Sequence, residues 1–98
     1  MGEKVLLQKL MNNNNLNIEF DNAVKRVNDH TEPFPADILL KFYAYYKKAT
    51  NNYERPYSKK AIINAFKTNA LFQVGNITED EAKRIYIDLA NNYFLYRN

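Results

Sequence analysis

An all-α domain of four helices is what this sequence predicts, on three observations. Apolar residues recur at the 3.6-residue spacing of a helix in four separate stretches. The breaks between them hold helix-ending or helix-starting residues: Pro33 and Pro35, a polar run from Asn51 to Pro56, and Gly75 ahead of a Thr78-Glu79-Asp80-Glu81 capping sequence. With no cysteine in 98 residues, neither a disulfide framework nor a thiolate metal site is available, so apolar packing must hold one modest core.

Residues 1–17 are expected to form a flexible N-terminal extension. Val5, Leu6, Leu7 and Leu10 offer a short apolar patch, but Asn12 to Asn15 is a polar run of poor helix propensity. From Leu16 the pattern sharpens, with Leu16, Phe20, Ala23, Val24 and Val27 on one stripe, and Asn15 or Asn17 is the expected cap. This first helix should end near His30. A second helix is expected from Ala36 to about Thr50, with Leu39, Phe42, Tyr43, Tyr46 and Thr50 on one face and Leu40 and Lys47 along an edge. Tyr43 and Lys47 are then one turn apart. A third should begin between Ser58 and Ala61 and reach about Gln73, where Ile63, Phe66, Ala70 and Val74 share a face with Lys67 and Gly75 lets the chain turn. The last follows its capping box with Ala82, Ile85, Tyr86, Leu89, Tyr93 and Tyr96 on one stripe nearly to the end of the chain.

Several kinds of chemistry lack their residues. The chain has one histidine, one serine and two glycines, so it holds no nucleophile with an oriented base, no His/Cys metal set and no glycine-rich phosphate loop. His30 reads as a solvated side chain or a cation at a helix C-terminus. No run approaches the ~20 apolar residues of a membrane span, and charged residues break the patch at the start, against a secretory signal. A net charge of +3 favours an anionic partner only weakly. What remains is binding. Lysines and phenols bordering an apolar stripe suit a ligand with an anionic end and an apolar end, although Tyr93, Tyr96 and, on spacing alone, Tyr43 and Tyr86 read as core, and Lys67 as a snorkelling side chain.

The second helix resembles the signature helix of the acyl-CoA-binding protein family, of the small-carrier, diazepam-binding-inhibitor type. The matching residues are Pro35-Ala36, Leu39-Leu40, Tyr43, Ala44, Tyr46-Lys47 and Ala49-Thr50. Phe20-Asp21, Ala23 and Val27 stand at the family's spacing before Tyr43, Glu54-Arg55-Pro56 resembles a loop motif, and Tyr86-Ile87-Asp88 matches a family triplet after the last cap. The resemblance covers about residues 18–95. It implies an up-and-down four-helix bundle at residues 18–98 that binds long-chain acyl-CoA esters and carries them in the cytoplasm as a monomer. It implies no catalysis and no cofactor, with acyl-CoA-using enzymes or membranes as transient contacts. Tyr43, Tyr46, Lys47, Lys67 and Tyr86 fall at the family's contacts to the 3′-phosphate and adenine, and Phe20, Ala23, Val24, Leu39 and Leu40 at the acyl groove. The chain departs from the family in a shorter 51–56 loop, Lys48 for glutamine and Tyr45 for an aliphatic residue. It also has Lys67-Thr68-Asn69-Ala70-Leu71 where relatives carry two tryptophans, with Phe66 and Phe72 expected to restore some of that volume.

Two other classes stand beside this one. A small basic helical domain with lysines and tyrosines interleaved at Lys41 to Lys48 or Tyr57 to Lys60 is the nucleic-acid alternative, opposed by acidic residues along the candidate helices. A protein-interaction module would need an exposed apolar patch.

Overall fold

The computed structural model describes residues 2–52 and 60–95, with side chains from residue 15 onward. It contains four helices and, among the described residues, no strand: α1 (Gly2–Asp29), α2 (Ala36–Ala49), α3 (Ala61–Gln73) and α4 (Glu79–Leu95). The Glu54-Arg55-Pro56 motif and Tyr96 lie outside the described residues.

α1 begins fourteen residues before Leu16, running helical through Asn12 to Asn15. Asparagine disfavours a helix by at most ~0.7 kcal/mol per residue, and no proline or glycine lies between Glu3 and Glu32, so a weak run inside an unbroken stretch does not stop propagation. Asn17 consequently caps nothing. Its side-chain oxygen accepts a hydrogen bond from Lys83 Nζ at 2.8 Å, tying α1 to α4.

α2 occupies the span its sequence announces. Pro35 sits at its N-cap, and Leu39 N–H donates to the Pro35 carbonyl at 2.9 Å. Its C-terminus closes in a Schellman arrangement: Asn51 takes a left-handed φ of 56°, its N–H reaches the Lys48 carbonyl at 3.2 Å, and Asn52 N–H reaches the Lys47 carbonyl at 2.9 Å. Asparagine tolerates that conformation better than other side-chain-bearing residues. α4 starts on Thr78, whose Oγ1 accepts the Glu81 N–H at 3.1 Å. Gly75 has an ordinary φ, and an added Cβ would meet only the Phe72 carbonyl at 3.4 Å. The chain turns there without using glycine's extra freedom.

α4 lies between α1 and α2, while among the described helices α3 packs on α2 alone. Two neighbours bury two sides of α4, which is why Ile87 and Ala90 join Ala82 and Tyr86 in the core, off the expected stripe. The centre is aromatic: the Tyr86 ring meets Phe20 at 5.2 Å and Phe42 at 5.1 Å between centroids, and Phe42 meets Phe34 at 5.2 Å. Beyond Phe34, half-buried His30 is ringed by Phe34 at 4.7 Å, Phe94 at 5.3 Å and Tyr93 at 5.9 Å. Its Nε2 is shielded from water, so the expectation of a solvated histidine is corrected: the chain reverses toward Phe34 directly after α1 and folds the imidazole inward. α3 contributes no buried residue. Phe66 and Phe72 are 54% and 87% exposed and do not replace lost tryptophan volume, because a helix with one neighbour has only one side to bury.

Candidate functional site

Within the described residues, no Cα of α1 comes within 8 Å of one in α2. Both helices instead lean on α4, and the gap between them is a groove of about 300 Å³. Val24, Val27 and Asn28 form the α1 wall; Leu39, Phe42, Tyr43 and Tyr46 form the α2 wall; Tyr86 of α4 lies at the base. The local reason is spacing. Val24 and Asn28 are four residues apart, as are Leu39 and Tyr43 and also Phe42 and Tyr46, while Leu39 to Phe42 is a three-residue step, so each helix turns one continuous side to the gap. Leu39 and Tyr46 are 53% and 41% exposed, an apolar and a phenolic surface at the rim.

Two cations gather on one phenol at this groove. Lys47 Nζ lies 5.3 Å from the centroid of the Tyr43 ring, and Lys67 Nζ, arriving from α3, lies 5.1 Å from it. Each distance is within cation–π range. Packing α3 on α2 is what brings Lys67 in, since the two lysines are twenty positions apart. The Tyr43 hydroxyl is shielded from water and has no hydrogen-bond partner among the described residues. Leaving such a donor unpaired costs about 1–3 kcal/mol, which a ligand accepting its hydrogen bond would recover. Below, the Tyr86 phenol is 2% exposed and its pKa is pushed up to about 12, first by burial and then by the neighbouring Tyr46. It therefore stays a neutral phenol throughout the physiological range.

The residues named from sequence divide three ways. Tyr43, Tyr46, Tyr86, Val24 and Leu39 line the groove, with Lys47 and Lys67 at its Tyr43 edge. Phe20 and Ala23 are buried beneath it, Phe20 stacking on Tyr46 at 6.2 Å. Leu40 lies elsewhere: it lines a separate cleft between α2 and α3 with Ala44, Phe66 and Ala70, because its edge of α2 turns toward α3. Val27, Asn28 and Phe42 line the groove without having been named for it. The one-turn step from Val24 to Asn28 was the signal available for Asn28, and its polarity hid it. Lys48, a departure from the family pattern, reaches the Gly75 carbonyl at 3.5 Å and so points to the α3–α4 turn. Among the described residues no group of acidic, histidine or cysteine side chains could hold a metal ion, and no helix is long and apolar enough to cross a membrane.

No curated protein and no solved structure matches the chain. A family model described as "Acyl CoA binding protein" matches residues 17–90, a span that takes in every groove residue and both lysines. On a match of that extent, over the same helices that build the groove, the chain belongs to the acyl-CoA-binding protein family.

Proposed function

We infer that this protein binds long-chain acyl-CoA esters in the α1–α2 groove and carries them, as a cytoplasmic monomer, between membranes or enzymes that release and use them. One observation carries the assignment of the site: two lysine ammonium groups converge on Tyr43, whose buried hydroxyl lacks a partner among the described residues, at the edge of an apolar groove. Coenzyme A brings phosphates and an adenine, and the ester adds an alkyl chain. In this reading Lys47, Lys67 and the Tyr43 hydroxyl hold the 3′-phosphate, Tyr46 and Tyr86 offer ring surface to the adenine, and Val24 and Leu39 flank the acyl chain above Phe20 and Ala23. A groove of about 300 Å³ is at the lower limit for ligand sites, so it encloses part of the ester while the remainder lies along the surface.

The balance of terms explains why both halves of the ligand are needed. An acyl chain of about 16 carbons offers on the order of 12 kcal/mol gross at ~0.8 kcal/mol per methylene, against ~4–15 kcal/mol for association and ordering. Charge-assisted hydrogen bonds add roughly 1.5–3 kcal/mol each. The protein neither activates a nucleophile nor moves a proton in this scheme, and no reaction is assigned to it. No observation favours the nucleic-acid alternative.

Calorimetric titration with palmitoyl-CoA, free CoA and palmitate tests the assignment. The ester should bind 1:1 with Kd below about 1 µM and each fragment far more weakly, and Lys47→Ala or Lys67→Ala should weaken the ester about ten- to a hundredfold. An ester that binds no better than its fragments would overturn the carrier role.

A further inference from the structure

α3 places Lys67 over Tyr43, yet among the described helices it packs on α2 alone. A slide or roll of α3 on that one neighbour would carry Lys67 off the ring, so whatever pins α3 bears on the site. Part of the pin comes from α2 itself. Lys41, Ala44, Tyr45 and Lys48 recur at three- and four-residue steps and so share one side of that helix. The first three line the cleft that faces Phe66, Ala70 and Val74, and Lys48 lines a second cleft with Leu71, Val74 and Gly75, which makes this the α3 side of α2. Lys48 is half-buried, and its Nζ reaches the Gly75 carbonyl at 3.5 Å, one residue past the C-cap of α3. With Thr78, Glu79 and Asp80 it also lines a cleft at the start of α4. A cation suits this place twice, because it meets the negative end of the α3 dipole and the acids in the first turn of α4.

We propose that Lys48 is a positioning residue for the phosphate end of the ligand: by tying the last turn of α2 to the α3–α4 turn, it fixes α3 and so sets Lys67 over Tyr43. Gln73, the last residue of α3, is six positions past Lys67, about 9 Å along the axis, so an end held at Gly75 limits both slide and roll at Lys67. The action is indirect. Lys47 follows Tyr43 by one turn and lies over its ring, whereas Lys48, one position further, stands about 140° round the helix from Tyr43 and is aimed at the Gly75 carbonyl. The turn it holds has few short bonds of its own: Val74 N–H reaches the Leu71 carbonyl at 3.3 Å, Gly75 N–H the Phe72 carbonyl at 3.3 Å, and Ile77 N–H the Val74 carbonyl at 3.4 Å. The inference deepens the carrier reading and rests on it for its ligand.

The test is a double-mutant cycle on the full chain, Lys48→Met and Lys67→Ala singly and together, read by calorimetric titration with palmitoyl-CoA and with palmitoyl-dephospho-CoA, which lacks the 3′-phosphate. Lys48→Met should weaken palmitoyl-CoA about three- to tenfold in the wild-type background and less than about twofold once Lys67 is gone, because the residue through which it acts is then missing. It should leave the dephospho ester within about twofold of wild type, and Lys48→Arg, which keeps the charge and the reach, should restore palmitoyl-CoA binding. Circular dichroism establishes that each variant is folded; should Lys48→Met fail to fold, Lys48→Gln takes its place in the cycle with the same expected pattern. An equal loss in both backgrounds would mean that Lys48 acts through its own charge on the ligand, and an equal loss for both esters that it merely holds the fold. Either result overturns the proposal, as does a folded Lys48→Met that binds palmitoyl-CoA as well as wild type does. A wild-type chain that binds the ester no better than its fragments would sink the carrier reading and this proposal together, whereas an additive cycle in a chain that binds the ester tightly sinks the proposal alone.

Discussion

α3 and α4 are neighbours in sequence and opposites in how they are held. Among the described residues, α4 packs against two helices and buries Ala82, Tyr86, Ile87 and Ala90, whereas α3 packs against one and contributes no fully buried residue. Both serve the groove, α4 with Tyr86 at its base and α3 with Lys67 at its edge. A rigid base and a lightly held edge are separable properties in this molecule. The base is stabilised by apolar area and ring contacts, so its loss is a loss of the fold. The edge has little buried area behind it, and its opening is expected to be local, well below the free energy of global unfolding.

The widest contrast comes from making one substitution on each side. Phe42→Ala removes a 3%-exposed ring that touches both Tyr86 and Phe34, and should cost about 3–5 kcal/mol in denaturant unfolding. Phe66→Ala on α3 should cost less than about 1 kcal/mol. Similar costs at the two positions would mean that α3 is held as firmly as α4, and the contrast would fail.

Next in size is an alkaline limb that belongs to the base alone. The Tyr86 pKa is raised to about 12, by burial first and by Tyr46 second, from an unfolded value near 10. The folded state therefore holds this proton when the unfolded state has released it. The contribution is fully present below about pH 10 and is lost as pH climbs through about 12, to a total on the order of 2 kcal/mol. Unfolding at about pH 9 and about pH 11 should differ more in wild type than in Tyr86→Phe. An identical pH dependence in both would place the alkaline loss elsewhere.

Much of this asymmetry could be read from residue order, and the unread part has physical causes. α2 was bounded by Pro35 and Thr50 and α4 by Thr78, because proline geometry and capping act within a few residues. The start of α1 was misplaced because asparagine propensity is a weak local term that an unbroken helix overrides. A stripe presupposes one partner, so it missed Ile87 and Ala90 on a helix with two. Leu40 and Leu39 are adjacent, yet they serve different clefts; which side of α2 meets α1 and which meets α3 is a tertiary fact. Of the groove, spacing alone made legible the Tyr43–Lys47 pair one turn apart, while Lys67, Tyr86, Val24 and Leu39 were named for it only through the resemblance to the family. The inward turn of His30 was invisible because two of its three ring partners, Tyr93 and Phe94, are sixty-odd positions away.

The smallest expected effect is also the one aimed most directly at the weaker helix. Lys60 is the N-cap of α3, with φ −99° and ψ 117°, the extended conformation suited to a capping residue, yet it makes no side-chain cap hydrogen bond. A lysine there also places positive charge at the positive end of the helix dipole. Lys60→Ser supplies an oxygen for an N–H of the first turn and removes that charge, which should stabilise α3 by about 1 kcal/mol. With local opening of α3, the gain should appear as roughly fivefold slower amide exchange within α3 and little change in α4 or in the midpoint of global unfolding. Slower exchange spread evenly over all four helices would show that α3 unfolds only with the rest of the molecule. A gain confined to α3 would let a second measurement follow on the same variant. If the ester titration also tightens, the order of α3, and with it the placement of Lys67 over Tyr43, limits affinity at the groove.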